Sequence, residues 1–109
     1  MITLEKLKAF GANTEEGLSR CLNNEAFYIR LVEKFIESNA FNNLKAAILA
    51  DDLETAFKEA HSLKGVLGNL SLTPLFDIIV EMTELLRAKT KIDYTPLLEK
   101  YEALFNTLK

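Results

Sequence analysis

The stretch His61-Ser62-Leu63-Lys64-Gly65-Val66-Leu67-Gly68-Asn69-Leu70 gathers the residues of this chain best suited to chemistry. It holds the one histidine, a lysine three positions later, and two glycines within four residues. An unperturbed imidazole has a pKa of about 6.5, so at pH 7 most copies carry a free lone pair that can attack an electrophile. Lys64, on the next helical turn, brings a positive charge within reach of anything attached to His61. A glycine inside a helix costs about 1 kcal/mol relative to alanine. Gly65 and Gly68 strip side chains from the surface at that cost, and so let a phosphate or another backbone approach closely. The combination describes an exposed nucleophile on a flat platform beside a phosphate-friendly cation.

Taken singly, each residue has a plainer account. A solvent-facing histidine is commonly an ordinary surface residue, and Lys64 alone is a snorkelling side chain. Close helix packing explains one glycine, and Gly68 lies near enough to the helix end to assist its termination. The shared direction of the set is what points to function. At about 100° per residue, His61 points roughly 130° away from the centre of its helix's apolar stripe. Gly65 and Gly68 fall within about 40° of that direction, and Lys64 lies between it and the core edge.

The elements that must position these residues are helical throughout. Apolar residues recur at helical spacing, with no sustained alternation suited to a strand. Leu4, Leu7 and Phe10 give a short opening helix closed by Gly11. Asn13 with Glu16 predicts a capping box ahead of a short helix that includes Leu18, Cys21 and Leu22. Asn23 is a candidate cap for the next stripe, which runs from Tyr28 through Val32, Phe35, Ile36, Ala40, Leu44, Ala47 and Ile48 to end at Asp51. One long helix fits that stripe, with Ser38-Asn39 or Asn42-Asn43 as possible breaks.

Asp51 or Asp52 caps the helix that carries His61, whose inward stripe is Leu53, Ala56, Ala60, Leu63, Leu67 and Leu70. Thr73 is expected as an N-cap with Pro74 at the first helical position, ahead of Leu75, Ile78, Ile79, Met82, Leu85 and Leu86. Asp93 to Pro96 starts the last helix, with Leu97, Leu98, Tyr101, Leu104, Phe105 and Leu108 on one face. Four long stripes joined by short polar connections predict an all-α, antiparallel up-and-down four-helix bundle. Short helices within residues 1–22 pack across one end of a bundle over about 24–108, in one domain spanning 1–109.

Composition narrows the function classes. The 109 residues are 49% hydrophobic and 27% charged, enough for a core without staples. One Cys and one His exclude an internal disulfide and a His/Cys zinc site built within one chain. A net charge of −3 offers no general attraction to nucleic acid or to an anionic membrane. The longest apolar run, Ala46 to Ala50, is far short of the roughly 20 residues that span a bilayer. Lys6 and Lys8 interrupt any secretory signal shape. These features predict a cytoplasmic location.

The His61 segment resembles the signature of the histidine-containing phosphotransfer (HPt) domain family, which reads His-x-x-Lys-Gly followed by small residues and an Asn. The matching residues are His61, Leu63, Lys64, Gly65, Gly68, Asn69 and Leu70. Glu16-Gly17-Leu18-Ser19-Arg20, the run Phe27 to Val32, and Phe35 are similar to the family's N-terminal helices, and Asp51-Asp52 and Ala60 also sit where members carry such residues. Ser71 departs from the pattern, since many members have glycine there, and it is expected to satisfy loose backbone donors at the turn. Val66 and Leu67 are bulkier than usual; Leu67 belongs to the core stripe, and Val66, facing outward, bears on which partner docks.

The resemblance implies a phosphocarrier in a two-component phosphorelay. His61 would accept a phosphoryl group from a receiver-domain aspartyl phosphate and pass it to another receiver. Lys64 would steady the phosphoryl oxygens, while Gly65 and Gly68 keep the approach open. The implied partners are receiver domains of response regulators or of a hybrid sensor histidine kinase, with no nucleic acid and no membrane. The chain would act as a monomer with no cofactor of its own, magnesium being expected on the partner receiver. There is no Gly-rich phosphate-binding loop followed by Lys-Ser/Thr, so no ATP-binding or autonomous kinase activity is expected.

Three other readings compete. One is a receiver-docking or regulatory bundle that is never phosphorylated. Another is a hydrolase with His61 as general base, disfavoured because no second catalytic group lies at a predictable distance. The third is a module of a larger kinase, against which the Met1 start speaks. Cys21 is expected as a small core residue, and Phe27, Tyr28, Phe35 and Phe41 as core or edge. Asp51-Asp52 suits a helix N-terminus without catalysis, and Glu54, Lys58 and Lys64 border the surface near His61.

Overall fold

The computed structural model describes residues 2–109, and among them there is no β-strand. Seven helices follow one another: α1 (Leu4–Phe10), α2 (Thr14–Arg20), α3 (Glu25–Glu37), α4 (Ala40–Leu49), α5 (Leu53–Asn69), α6 (Thr73–Arg87) and α7 (Thr95–Leu108). The bundle has four arms, because α3 and α4 are two pieces of the arm drawn by the Tyr28-to-Ile48 stripe. Ser38 takes an extended conformation (φ −74°, ψ 159°) and breaks that arm, its hydroxyl donating to the Phe35 carbonyl at 2.8 Å. The alternative break at Asn42-Asn43 lies inside α4.

The apolar stripes become the core. Tyr28, Val32, Phe35, Leu44 and Ala47 meet Ala56, Ala60, Leu63 and Leu67 of α5. Leu75, Ile78, Ile79, Met82 and Leu86 of α6 complete the interior with Leu98, Tyr101 and Leu108 of α7. Helix α5 packs most extensively, lying between α4 and α6. Cys21 is buried, whereas Phe27 is 44% exposed and belongs to the edge.

Several helix ends fall elsewhere than the sequence predicts. Asn24, not Asn23, caps α3, its side chain accepting from the Phe27 N–H at 3.0 Å, and Asn23 instead holds a left-handed conformation. Leu22 lies beyond the end of α2 at 91% exposure, in the left-handed conformation (φ +56°) of the turn into α3. Thr73 is the first helical residue of α6 rather than its cap, and Pro74 follows inside the first turn. Asp52 caps α5, accepting from the Thr55 N–H at 3.1 Å. Asp93 accepts from the Thr95 N–H at 2.9 Å to start α7.

The N-terminal helices are tied to the end of the bundle where α5 turns into α6. Gly17 of α2 lies so close to the Tyr28 ring that a Cβ there would overlap it. The Tyr28 hydroxyl donates to the Leu70 carbonyl at 2.8 Å, just past the end of α5. The Asn13 side chain accepts from the Glu16 N–H at 3.2 Å, but Glu16 does not complete the capping box. Its carboxylate instead accepts from the Ser71 hydroxyl at 2.9 Å, and the Ser71 carbonyl accepts from the Asn13 N–H at 2.9 Å. Ser71 thus ties the start of α2 to the α5–α6 turn, its carbonyl satisfying the Asn13 N–H while its hydroxyl serves a side chain rather than a backbone donor. It does so at φ +55°, a conformation that favours glycine.

Burial, with a smaller contribution from the nearby Cys21 thiol, pushes the Tyr28 phenol up to about 12. The folded chain therefore holds a proton that the unfolded chain releases near 10.0, and this contribution to stability is lost as pH rises from 10.0 toward 12. Tyr28→Phe leaves the Leu70 carbonyl unpaired and should cost about 1–2 kcal/mol in urea unfolding at pH 7. Above pH 10.0 the gap between wild type and Tyr28→Phe should narrow. A gap of constant size across that window would contradict the assignment.

Candidate functional site

Helix α5 carries the candidate site, and its start is fixed by Asp52. Hydrogen bonds from Thr55 hold the Asp52 carboxyl below the usual aspartate range. From that cap the helix runs 17 residues to Asn69. Ala56, Ala60, Leu63 and Leu67 are buried almost completely. The opposite face is consequently turned out to solvent, so that His61 and Gly65 are exposed while Lys64 and Gly68 are half-buried on the flank. His61, Lys64 and Gly65 thus share one accessible surface, as their spacing predicts.

The two glycines separate on inspection of what surrounds them. A Cβ on Gly65 would meet nothing within 4 Å, so that surface is open. A Cβ on Gly68 would meet Phe76 Cε1 at 3.2 Å, so Gly68 serves the close packing of α5 on α6. Sequence spacing gave both glycines one direction, but only the position of α6 distinguishes them.

Among the described residues no side-chain hydrogen bond or ion pair engages either His61 or Lys64. Lys58, three residues before His61, pairs with Glu54 at 3.7 Å, both exposed. The imidazole instead stacks on Phe57, with ring centroids 5.9 Å apart and planes inclined by 29°. The Arg87 guanidinium, from the end of α6, lies over the Phe57 ring at 5.4 Å from its centroid. It also reaches Glu84 at 3.6 Å.

Sequence reasoning missed both of these residues. Phe57 could have been found, because it lies four residues before His61 and such pairs meet on a helix surface. Arg87 could not, because its place beside Phe57 depends on how α6 packs. On the other flank, Val66 is 42% exposed and lines an apolar groove of about 410 Å³ with Leu31, Lys34, Phe35, Ala40 and Leu70. Among the described residues no three His, Cys, Asp or Glu side chains converge to hold a metal ion.

A family model described as the Hpt domain matches residues 30–109, and His61, Lys64 and both glycines lie inside that span. The chain belongs to the Hpt domain family. Hpt domains serve histidine phosphotransfer in two-component systems, where they interact with receiver domains. The match begins at Arg30, so α1, α2 and the first turns of α3 in this Hpt domain lie outside it. No curated protein and no solved structure gives a match. No helix among the described residues is long and apolar enough to cross a membrane.

The surroundings of the two glycines predict unequal responses to the same substitution. Gly65→Ala should stabilise this Hpt domain by about 0.5–1 kcal/mol, through helix propensity alone. Gly68→Ala should gain less or lose stability, because the new methyl presses on Phe76. Urea unfolding of the two variants checks this, and equal gains would contradict it.

Proposed function

We propose that this Hpt domain is a phosphocarrier in a two-component phosphorelay, with His61 as the phosphoacceptor. The observation that carries the reading is the exposed His61 imidazole, with no side-chain hydrogen bond among the described residues, beside Lys64 and the open surface over Gly65. A neutral imidazole nitrogen attacks the phosphorus of a receiver's aspartyl phosphate. The new N–P bond forms as the P–O bond to the carboxylate breaks, and the electron pair leaves with that carboxylate. The same exchange run backwards delivers the group to an aspartate on a second receiver.

The chain acts as a carrier and not as a kinase. Phosphoryl transfer passes through a loose transition state, so alignment and charge neutralisation at the interface do most of the work. This chain supplies the nucleophile, the Lys64 charge and the docking surface. The receivers, of response regulators or of a hybrid sensor kinase, supply the carboxylate cluster and its magnesium. An open surface over Gly65 suits close approach of a receiver, and an exposed His61 leaves the transferred phosphate solvated. This carrier works in the cytoplasm as a monomer.

The test is incubation with phosphorylated receiver domains, followed by a search for acid-labile, base-stable phosphate on this chain. Wild type should become labelled and His61→Gln should not. A wild type that stays unlabelled with several receivers would sink the reading, and label persisting in His61→Gln would remove this histidine from it. Lys64→Ala should slow transfer about tenfold while leaving urea unfolding unchanged within about 0.5 kcal/mol. Transfer at the wild-type rate would exclude Lys64 from the mechanism.

A further inference from the structure

We infer that Phe57, braced by Arg87, is a positioning residue that sets the orientation of the His61 imidazole before a receiver docks. The inference rests on the carrier reading above and adds to it a device for aiming the nucleophile. An exposed histidine on a helix ordinarily samples several rotamers, and a hydrogen bond to one ring nitrogen is the common way to fix it. Among the described residues no such bond reaches His61. What lies against the ring is Phe57, at a centroid separation of 5.9 Å and an inclination of 29°.

The chemistry of the nucleophile favours this kind of support. The imidazole lone pair lies in the ring plane, so a neighbour stacked on one face leaves the reactive edge free. A hydrogen bond at a nitrogen would occupy part of that edge. Phe57 can serve as a fixed surface because it is half-buried and packs against the core, one residue past the fully buried Ala56. Arg87 adds a second restraint from α6, lying 5.4 Å from the Phe57 ring centroid while it reaches Glu84 at 3.6 Å. The imidazole is thereby referred to two helices rather than to its own backbone alone. Transfer between two domains gains most from groups already aligned at encounter, since less freedom is then lost on docking.

The test uses the intact chain, and His61 being the one histidine makes its ring signals self-identifying in proton–carbon NMR. In wild type the His61 ring C–H protons should be displaced by the aromatic ring current of Phe57. Phe57→Leu keeps an apolar side chain but removes the ring, and should abolish that displacement. It should also slow phosphoryl uptake from a phosphorylated receiver about fivefold. Phe57→Tyr restores a ring and should keep both the displacement and a rate within about twofold of wild type. Arg87→Gln, at an exposed position, serves should Phe57→Leu not fold, and is expected to shift the imidazole signals and slow uptake about twofold.

A wild type that accepts no phosphoryl group overturns the carrier reading and this inference with it. A wild type that accepts it, with Phe57→Leu unchanged in rate or in imidazole signals, overturns the positioning role alone. The same holds for unchanged signals in Arg87→Gln, or for a Phe57→Tyr variant that behaves like Phe57→Leu.

Discussion

The burial of one stripe of α5 between its neighbours governs the rest of this molecule. Ala56, Ala60, Leu63 and Leu67 are removed from water, and Leu70 continues the line past the helix end. Each buried leucine contributes about 2 kcal/mol, so turning α5 far enough to hide His61 would expose several of them at once. No interaction available to an imidazole could offset that. The two alanines have another effect, since short side chains let α4 and α6 come close to the α5 axis. The direction of His61 is therefore set by the burial of the opposite face of its helix. In the proposed carrier the nucleophile is thus kept outside by the hydrophobic effect, without a dedicated pocket.

The far end of α5 is held by a different kind of contact. Tyr28 reaches Leu70, Gly17 makes room for the Tyr28 ring, and Ser71 joins Glu16 and Asn13. These polar links are buried or half-buried and couple α2 and α3 to the α5–α6 turn. Ser71 adopts a left-handed backbone there, which costs a non-glycine residue about 1 kcal/mol. Its hydroxyl bond to Glu16 gives the side chain a purpose that glycine could not serve. The turn is consequently anchored on both sides, and α5 is restrained at its end while its exposed middle stays accessible.

The helical stripes, a cap at Asp51 or Asp52, and the set of His61, Lys64 and Gly65 on the outward side of α5 were all legible in the sequence. Each depends on a spacing of three or four residues along one helix, and a helix converts such spacing directly into direction. The errors cluster at helix ends. Asn23 and Asn24 are equally good caps by type, and the choice between them lay in how the chain leaves α2. Thr73 looked like a cap because Pro74 follows, yet the buried Leu72 takes that place while the turn draws the chain inward. Ser38 broke the long arm where a continuous stripe permitted either outcome.

By itself the sequence determined the all-helical class, the faces of each helix and the one imidazole that a phosphoryl group could occupy. These are local properties, dictated by periodicity and by the presence of a single histidine. Tertiary structure decided what lies across from each face. It assigned Gly68 to the packing of Phe76 and left Gly65 facing solvent, although both glycines share one direction on the helix. It brought Arg87 over Phe57, across 30 positions of chain, to the ring on which His61 rests. The reason is that periodicity specifies an angle about one axis, whereas contact requires the separation and rotation of two axes. Those are settled only when the side chains of both helices fill the space between them.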